Sequence, residues 1–440
     1  MISPFDDLTK PESPLSGRKR KDSLPPDVAL AFVGSVVSDE PAFHNIAFSR
    51  AGQMSQQGLL LGLKRAGLPP SLILSMRPIP SFPHARRLWV GKRQTYLPEG
   101  IAVSLFPFLN VTPIKQMSIG LATVWRLLCW GWRMRHKQYR VVYTFNLSVP
   151  PGLFTLLAAR LIGAKAMVSL NDINEPGQTV PPTLVNRVDF WLHKWLVPRF
   201  DGHVVVSDLI MDDFAPGRPY IRIEGGIRSE ILDRTSDTFK PKKEKNAPFV
   251  IVSAGSLDEA NGVLILLEAF TLLAGEQYRL HIAGRGPLEK YVEEAAKKDH
   301  RIEYVGFVSF EEVLRLYNSA DVLINMRLTK ALNTGYFFPS KVMECLASGV
   351  PLITTCTGHA EEEFGDFCYL LKDETPQGLA NIIRCVASLD PHERAEIAHK
   401  ARVYVAVNKT WDAQSRKIVK FICGTVLKMD LNHEFAENIR

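Results

Sequence analysis

Two successive series of short, uninterrupted apolar segments constrain this chain more than any other feature. The first runs through VALAFVG (Val28–Gly34), LILSM (Leu72–Met76), IAVSL (Ile101–Leu105), VVYTF (Val141–Phe145), AMVSL (Ala166–Leu170) and HVVVS (His203–Ser207). The second runs through FVIVSAG (Phe249–Gly255), YRLHIAG (Tyr278–Gly284), IEYVG (Ile302–Gly306), DVLIN (Asp321–Asn325) and VPLITT (Val350–Thr355). Continuous β-branched runs of this kind suit strands of a parallel sheet covered on both faces. The intervals fit helical crossovers, such as AGQMSQQGLLLGLKRAG from Ala51, and parallel neighbours need such crossovers. The expected fold class is α/β, with two doubly wound Rossmann-like domains facing a central cleft. Ligands in such sheets bind beyond the carboxyl ends of the strands, and here also in the cleft between domains.

Polar, Lys-rich KPKKEKNAP (Lys240–Pro248) reads as a linker. It divides a first domain over 27–239 from a second over 249–405, with a further segment over 406–427. Residues 1–26 are rich in Pro, Ser and charge and read as a disordered tail. Their RKRK (Arg18–Lys21) is a solvated charge run, and no nucleic-acid partner is expected. A chain of 440 residues suits two domains, and 46% apolar against 22% charged residues is ordinary for globular cores. The net charge of +7 suggests anionic surroundings such as membrane lipid or phosphorylated substrates. Six cysteines are scattered without a CxxC pair, which excludes a zinc ribbon or a disulfide framework. The first residues are polar and acidic, unlike a secretory leader, so a cytoplasmic location is expected.

MSIGLATVWRLLCWGW (Met117–Trp132) is the best candidate for a membrane segment, but it is short and contains Arg126. It runs into the basic RMRHK (Arg133–Lys137), and tryptophans beside arginines suit a helix lying in a membrane interface. The expectation is partial exposure of Trp125, Trp130 and Trp132 to an anionic inner-leaflet surface. The competing reading is an interior helix covered on all sides.

Several strand ends offer binding groups. AGSLDEANGVLILLEAF places Gly255, Ser256, Asn261 and Gly262 between a strand and a helix, where backbone N–H groups accept phosphate. AGRGPLEKY adds Gly284, Arg285 and Gly286 at a second strand end. FFPSKVMECLASGVP (Phe337–Pro351) is more specific. It reads as a short buried helix, stopped by Gly349 and Pro351, with Lys341 and Glu344 interrupting its apolar surface. A cation in the first helical turn opposes the macrodipole. If Ser340 caps this helix, Glu344 is one residue out of register for a capping box. A surface Lys341–Glu344 pair would contribute only about 0.2–0.5 kcal/mol. A diphosphate beside Lys341 and ribose hydroxyls on Glu344 would account for both residues.

Taken in order, AGSLDEANGVLILLEAF, LHIAGRGPLEKY, IEYVGFVSFEEVLRLYNSADVLINM and FFPSKVMECLASGVPLITT resemble the nucleotide-sugar-binding domain of GT-B glycosyltransferases, of the retaining family 4 type. The first half resembles that family's acceptor domain, through RFDGHVVVSDLIMDDF (Arg199–Phe214) and LNDINEPG (Leu170–Gly177). TWDAQSRKIVKFI (Thr410–Ile422) looks like its final helix, which crosses back onto the first domain. The resemblance implies a donor site in the second domain. There Glu344 corresponds to the second glutamate of an E-x7-E motif, on the ribose. Arg285 and Gly286 line the nucleotide site, Tyr304 to Val308 meet the base, and Pro339 and Ser340 belong to the FPSK element. Gly52 faces the donor phosphates across the cleft. Asn171, Asp172 and Glu175 are the candidates for holding the acceptor.

Three departures from that pattern stand out. The motif's first glutamate falls at Tyr336, and the usual Arg and Lys fall at Ser256 and Asn261. Lys341 replaces that phosphate charge, as a similar FPSK pattern in capsule and exopolysaccharide glycosyltransferases suggests. The resemblance implies sugar transfer with retention from a nucleotide sugar to a glycan or lipid-linked acceptor, in surface polysaccharide synthesis, without metal or cofactor. Its catalysis rests on Lys341, Glu344 and Asp172. A nucleotide-sugar 2-epimerase and an inactive nucleotide-sugar-binding partner subunit are the alternative readings.

Overall fold

The computed structural model describes residues 27–44, 49–112, 114–146, 149–171, 173, 175–177, 180–229, 232, 247–330, 334–336, 338 and 340–429. The tail over 1–26, most of the expected linker, Asp172 and Pro339 lie outside them. In chain order the first half builds β1 (Val28–Gly34), α1 (Arg50–Arg65), β2 (Leu72–Ser75), β3 (Trp89–Val90), β4 (Arg93–Leu97), β5 (Ile101–Leu105) and β6 (Phe108–Leu109). It continues through α2 (Ile114–Arg133), β7 (Tyr139–Phe145), α3 (Val149–Leu161), β8 (Lys165–Leu170), α4 (Leu184–Leu196), β9 (Gly202–Val205), α5 (Asp208–Phe214) and β10 (Tyr220–Arg222). Eight of these strands form one sheet in the order β10-β9-β8-β7-β1-β2-β5-β4, parallel except where β4 runs against β5.

The second half starts again with β11 (Phe249–Ser256), α6 (Val263–Thr271), β12 (Tyr278–Arg285), α7 (Glu289–Lys298), β13 (Ile302–Gly306), α8 (Phe310–Ser319) and β14 (Val322–Asn325). Then come α9 (Lys341–Ala347), β15 (Leu352–Thr355), α10 (Ala360–Phe364), β16 (Tyr369–Leu371), α11 (Pro376–Ser388), α12 (Pro391–Asn408) and α13 (Trp411–Lys420). Its six strands are all parallel, in the order β13-β12-β11-β14-β15-β16. The order reverses between β11 and β14, and in the first sheet between β1 and β7. These are the places where an open α/β sheet forms a crevice. The apolar runs of the sequence are the interiors of these sheets. β1 is buried at every position but its ends, as a strand covered on both faces must be.

Chain direction sorts the helices. Moving from β5 through β7 and β8 to β9 by right-handed crossovers puts α2, α3 and α4 on one face of the first sheet, and α1 on the other. On that other face α13 returns to pack along α1. Gly58 and Gly62 make the approach possible: a Cβ on Gly58 would lie 2.1 Å from the Trp411 ring, and one on Gly62 2.5 Å from the Trp411 carbonyl oxygen. The same helix turns Gln53, Gln56 and Gln57 inward. The Gln53 and Gln56 side-chain oxygens accept the backbone N–H groups of Val37 (2.7 Å) and Ser35 (2.9 Å), and Gln57 donates to the Val37 carbonyl at 3.0 Å. The loop leaving β1 is held at the crevice in this way.

The structure corrects the expectation for α2. Trp125 and Trp132 are exposed, but Trp130 is buried and its indole N–H donates to Ser71 Oγ at 2.9 Å. Among the described residues no helix is long and apolar enough to cross a membrane.

The chain passes between the two sheets twice, and the two passages lie side by side. Ile227 N–H donates to the Lys409 carbonyl and Trp411 N–H to the Ile227 carbonyl, each at 2.9 Å. Beside them Glu224 and Lys409, 5% and 3% exposed, pair at 2.9 Å. His359 reaches the other Glu224 oxygen at 3.0 Å, and Lys409 also pairs with Glu363 at 2.8 Å. Burial alone would raise the Glu224 carboxyl, but the His359 hydrogen bond and the Lys409 charge hold it down at about 2, below its ordinary 4.5. A depressed carboxyl contributes stability that is complete above its ordinary value and lost as the pH falls from about 4.5 to about 2. Wild-type stability is therefore expected to fall through that window. Glu224→Gln is expected to flatten the fall and to cost about 3 kcal/mol at neutral pH, because it breaks a buried ion pair. Denaturant titrations of both proteins across pH check this, and parallel pH profiles would contradict it.

Candidate active site

The cleft between the sheets holds a cavity of about 470 Å³, within the range of small-ligand sites. From the second domain its wall includes Ala254 to Ser256 at the end of β11, Ala283 to Arg285 at the end of β12, and Phe307 and Val308 after β13. Phe310, Val313 and Tyr317 of α8, then Ser340 with Lys341 and Glu344 of α9, complete that side. From the first domain come Arg50, Ala51, Met54 and Ser55 of α1. The two crossings contribute Gly226 to Arg228 and Trp411.

Close packing at the strand ends dictates the glycines. Gly284 sits at φ +144°, and a Cβ there would fall 1.8 Å from the Gly255 carbonyl oxygen. Nothing larger than glycine lets β11 and β12 meet at this point. Tyr304 fixes the loop from below, donating to the Gly284 carbonyl at 2.9 Å and to Glu289 at 2.8 Å. Gly255 leaves room for a charge, since a Cβ on it would lie 2.9 Å from Lys341 Nζ. The ammonium thus rests against bare backbone at the carboxyl edge of the central strand.

Lys341 is the first residue of α9, whose Val342, Met343, Cys345, Leu346 and Ala347 are buried. Ser340 is itself helical and its side chain makes no capping hydrogen bond, so the expected cap is absent and Ser340 instead faces the cavity. Glu344 follows one turn later. Burial raises its carboxyl above the ordinary range, against the opposing pull of Lys341 and Arg228. Arg228 also lines the cavity, and its buried Nε has no hydrogen-bond partner among the described residues. Arg285 lies over the Phe307 ring, 4.3 Å from its centroid. The cavity therefore joins four cations (Arg50, Arg228, Arg285 and Lys341) to one acid, with a flat aromatic surface beside them. A polyanion with a planar group matches that lining.

Of the expected donor residues, Gly255, Ser256, Arg285, Val308, Ser340, Lys341 and Glu344 come together here. Others do not line this cavity. The Ser256 hydroxyl donates to Asp258 at 2.7 Å, and the Asn261 amide donates to the same carboxylate at 2.8 Å, so Asn261 braces the loop. Gly262, at φ +67°, packs against Met326, and Gly286 against the Leu257 backbone. Gly52 lines a separate cavity of about 190 Å³ with Arg77 and Lys115, on the other side of the α1 N-terminus. Tyr336 is the largest correction. It is buried in the core of the first domain, edge-on to Phe214 at 5.9 Å, and its hydroxyl donates to Asp213. Of the acceptor candidates, Asn171 stands at the end of β8, where its N–H donates to Asn146 Oδ1 at 3.4 Å. The Glu175 charge acts on the Tyr336 hydroxyl, placing that loop near the Tyr336 contact. Sequence reasoning missed Arg50, Arg228 and Trp411, while Phe307 falls within the Tyr304 to Val308 stretch expected at the base. An Arg two residues before Gly52, and another closing GGIR, were the available signals.

Comparisons with known proteins agree with this architecture. Residues 248–388 match the family described as Glycosyl transferases group 1. The chain is 28% identical over 178 residues to the putative colanic acid biosynthesis glycosyltransferase WcaL of Escherichia coli K12, covering 39% of this chain and 44% of that protein. The Salmonella typhimurium protein of the same description matches at 26% over 198 residues, covering 43% and 49%. The chain thus spans about half the length of the curated relatives it matches. Among solved structures, Anabaena Alr3699/HepE in complex with UDP superposes with a TM-score of 0.60 at 15% identity, over 90% of this chain and 99% of that one. A glycosyltransferase from Rickettsia africae gives 0.60 at 15% identity over 91% and 100%. These likenesses show the fold, which is GT-B.

The geometry predicts how the Lys341–Glu344 pair behaves. Lys341→Ala is expected to weaken nucleoside diphosphate binding by a charge-assisted contact, roughly 1.5–3 kcal/mol. A raised carboxyl destabilises the fold as the pH climbs past its ordinary value. Glu344→Gln should therefore weaken nucleoside and nucleoside diphosphate alike without lowering the unliganded melting temperature at neutral pH. Calorimetric titration beside melting curves checks both. Unchanged affinity with a lower melting temperature would make the pair structural.

Proposed function

We propose that this chain, a GT-B fold with a group 1 glycosyltransferase domain over 248–388, moves a sugar from a nucleoside diphosphate sugar to a glycan or lipid-linked hydroxyl in surface polysaccharide synthesis. The observation that carries the reading is the cavity itself. Lys341 Nζ lies against Gly255, and Arg228, whose buried Nε has no hydrogen-bond partner among the described residues, lines the same space at the crevice where the strand order reverses. Two cations that share the single acid Glu344, whose carboxyl burial pushes toward the neutral form, suit a leaving diphosphate, and fixed charges act most strongly where charge develops in the transition state. Glu344 accepts from ribose hydroxyls, and Arg285 with Phe307 faces the base.

In this reading the bond between the sugar's anomeric carbon and the donor phosphate oxygen breaks as the acceptor oxygen bonds to that carbon on the same face. The acceptor's proton passes to the departing phosphate oxygen, so transfer is retaining and needs neither a protein base nor a metal. The relatives named for colanic acid synthesis support the pathway class, and the neighbour solved with UDP supports a nucleotide in the cleft. Tyr336 favours a second reading. The residue expected beside the donor sugar is instead buried against Phe214, as in a subunit that binds a nucleotide sugar without turning it over.

A panel of nucleotide sugars tests both readings. One donor is expected to raise the melting temperature, a ligand at a hundredfold excess over its Kd contributing about 2.7 kcal/mol. That donor is also expected to release nucleoside diphosphate slowly in the absence of acceptor. Stabilisation without any release would select the binding-only reading, and no stabilisation by any donor would overturn both.

A further inference from the structure

We propose that the face made by α2, α3 and α4 docks the first domain on an anionic lipid bilayer. Each helix carries an unpartnered apolar row. On α2, Leu121, Trp125 and Trp132 lie on the side opposite the buried Ile119, Thr123, Leu127 and Trp130, and both exposed tryptophans are 68% accessible. On α3 the row is Leu153, Leu157 and Leu161, spaced by four residues. On α4 it is Leu184, Val185 and Val188, ending in Trp191 at 63% accessible. α2 packs along α3 and α3 along α4, on the same face of the sheet, so the three rows form one surface. An exposed apolar surface of this extent marks an interaction site.

Charge decides the occupant. From Ile101 to Asn171 the sequence contains no Asp or Glu, while the end and exit of α2 carry Arg133, Arg135 and Lys137; Arg126 instead turns inward to Ser104 of β5 at 3.5 Å. Arg135 lies over the Trp132 ring at 4.7 Å and Arg199 over the Trp195 ring at 3.8 Å, a pairing of aromatic plane and cation that suits the headgroup level. The acids of this region are spent locally, Asp201 on Arg160 (3.0 Å) and Lys165 (3.4 Å), and Asp189 on His193 (3.3 Å). A second copy of the chain would bring the same cations against themselves. Anionic lipid is complementary to both the rows and the charge. The sequence alone pointed to α2 and wrongly included Trp130. The surface spreads over three helices, and its α4 end directly follows the loop that holds the acceptor candidates. This inference stands apart from the transferase reading, because it uses no cavity residue.

The test is vesicle flotation of the full chain, with phosphatidylcholine vesicles with and without phosphatidylglycerol, beside the triple variant Trp125→Ser, Trp132→Ser, Trp191→Ser. All three positions are exposed, so the variant is expected to melt and to bind nucleoside diphosphate like wild type. Wild type is expected to float with the anionic vesicles and to be released at about 1 M salt, where the Debye length is about 3 Å. The triple variant should lose roughly tenfold in partitioning, and so should Arg133→Gln, Arg135→Gln. Brominated lipid should quench wild-type tryptophan emission. Equal flotation on neutral and anionic vesicles, no difference between wild type and the triple variant, or a lipid-free dimer that the variant dissociates would each overturn the proposal.

Discussion

The Glu224–Lys409 pair sits where the chain crosses between its two halves, and the rest of the architecture hangs on those crossings. Gly226 lets the first crossing pass the second, since a Cβ there would lie 2.8 Å from the Trp411 ring. Hydrogen bonds between Ile227 and both Lys409 and Trp411 then lock the two strands of chain together. From this point α13 runs onto α1, and α1 presents Arg50 and Ala51 to the cavity whose opposite wall is β11, β12 and α9. A buried ion pair is weak evidence of net stability, because desolvation opposes the Coulomb gain. Its value here is geometric: with His359 and Glu363 as further partners, it specifies one arrangement of two sheets that could otherwise slide. Phe338 extends the same contact, stacking on His359 at 5.1 Å.

Within that frame the site is assembled from small violations of local rules. Gly284 adopts a backbone conformation that other residues avoid, and α9 opens on a lysine where a helix disfavours one. Glu344 is pushed up by burial instead of being held down by a partner. Arg228 leaves a buried Nε without an acceptor among the described residues. Each feature costs stability in the unliganded protein, and all four converge on one cavity. A single anionic ligand satisfies the two cations and gives Glu344 hydroxyl donors, which is why they are best read together.

Most of this fold was legible. Every strand inferred from a continuous apolar run is present, because a strand covered on both faces has no other way to look. The missed strands are those whose surroundings differ: β4 (RQTYL) is an antiparallel edge with alternating polarity, β3 and β6 are an antiparallel pair two residues long, and β10 and β16 are three residues long. The site was legible where a residue broke a local rule, as at Lys341, Glu344 and Gly255. It was not legible for Arg50, Arg228 and Trp411, whose place in the cavity follows from the crossings and has no local signature. Its strand-end loop pointed Asn261 to the donor and resemblance alone carried Tyr336 there, and both side chains found nearer partners in Asp258 and Asp213. Trp130 shows the same limit in α2, since composition named the helix and only packing told its buried side from its exposed one.

In the proposed function the Lys341 end of α9 receives the diphosphate of a nucleotide donor at the crevice between the sheets. The most direct measurement is a crystal structure with a nucleoside diphosphate bound. A phosphate oxygen is expected at a charge-assisted distance of about 2.7–2.9 Å from Lys341 Nζ, with a second contact from Arg228 and the ribose hydroxyls on Glu344. A nucleotide whose phosphates lie elsewhere, with Lys341 still resting against Gly255, would contradict it.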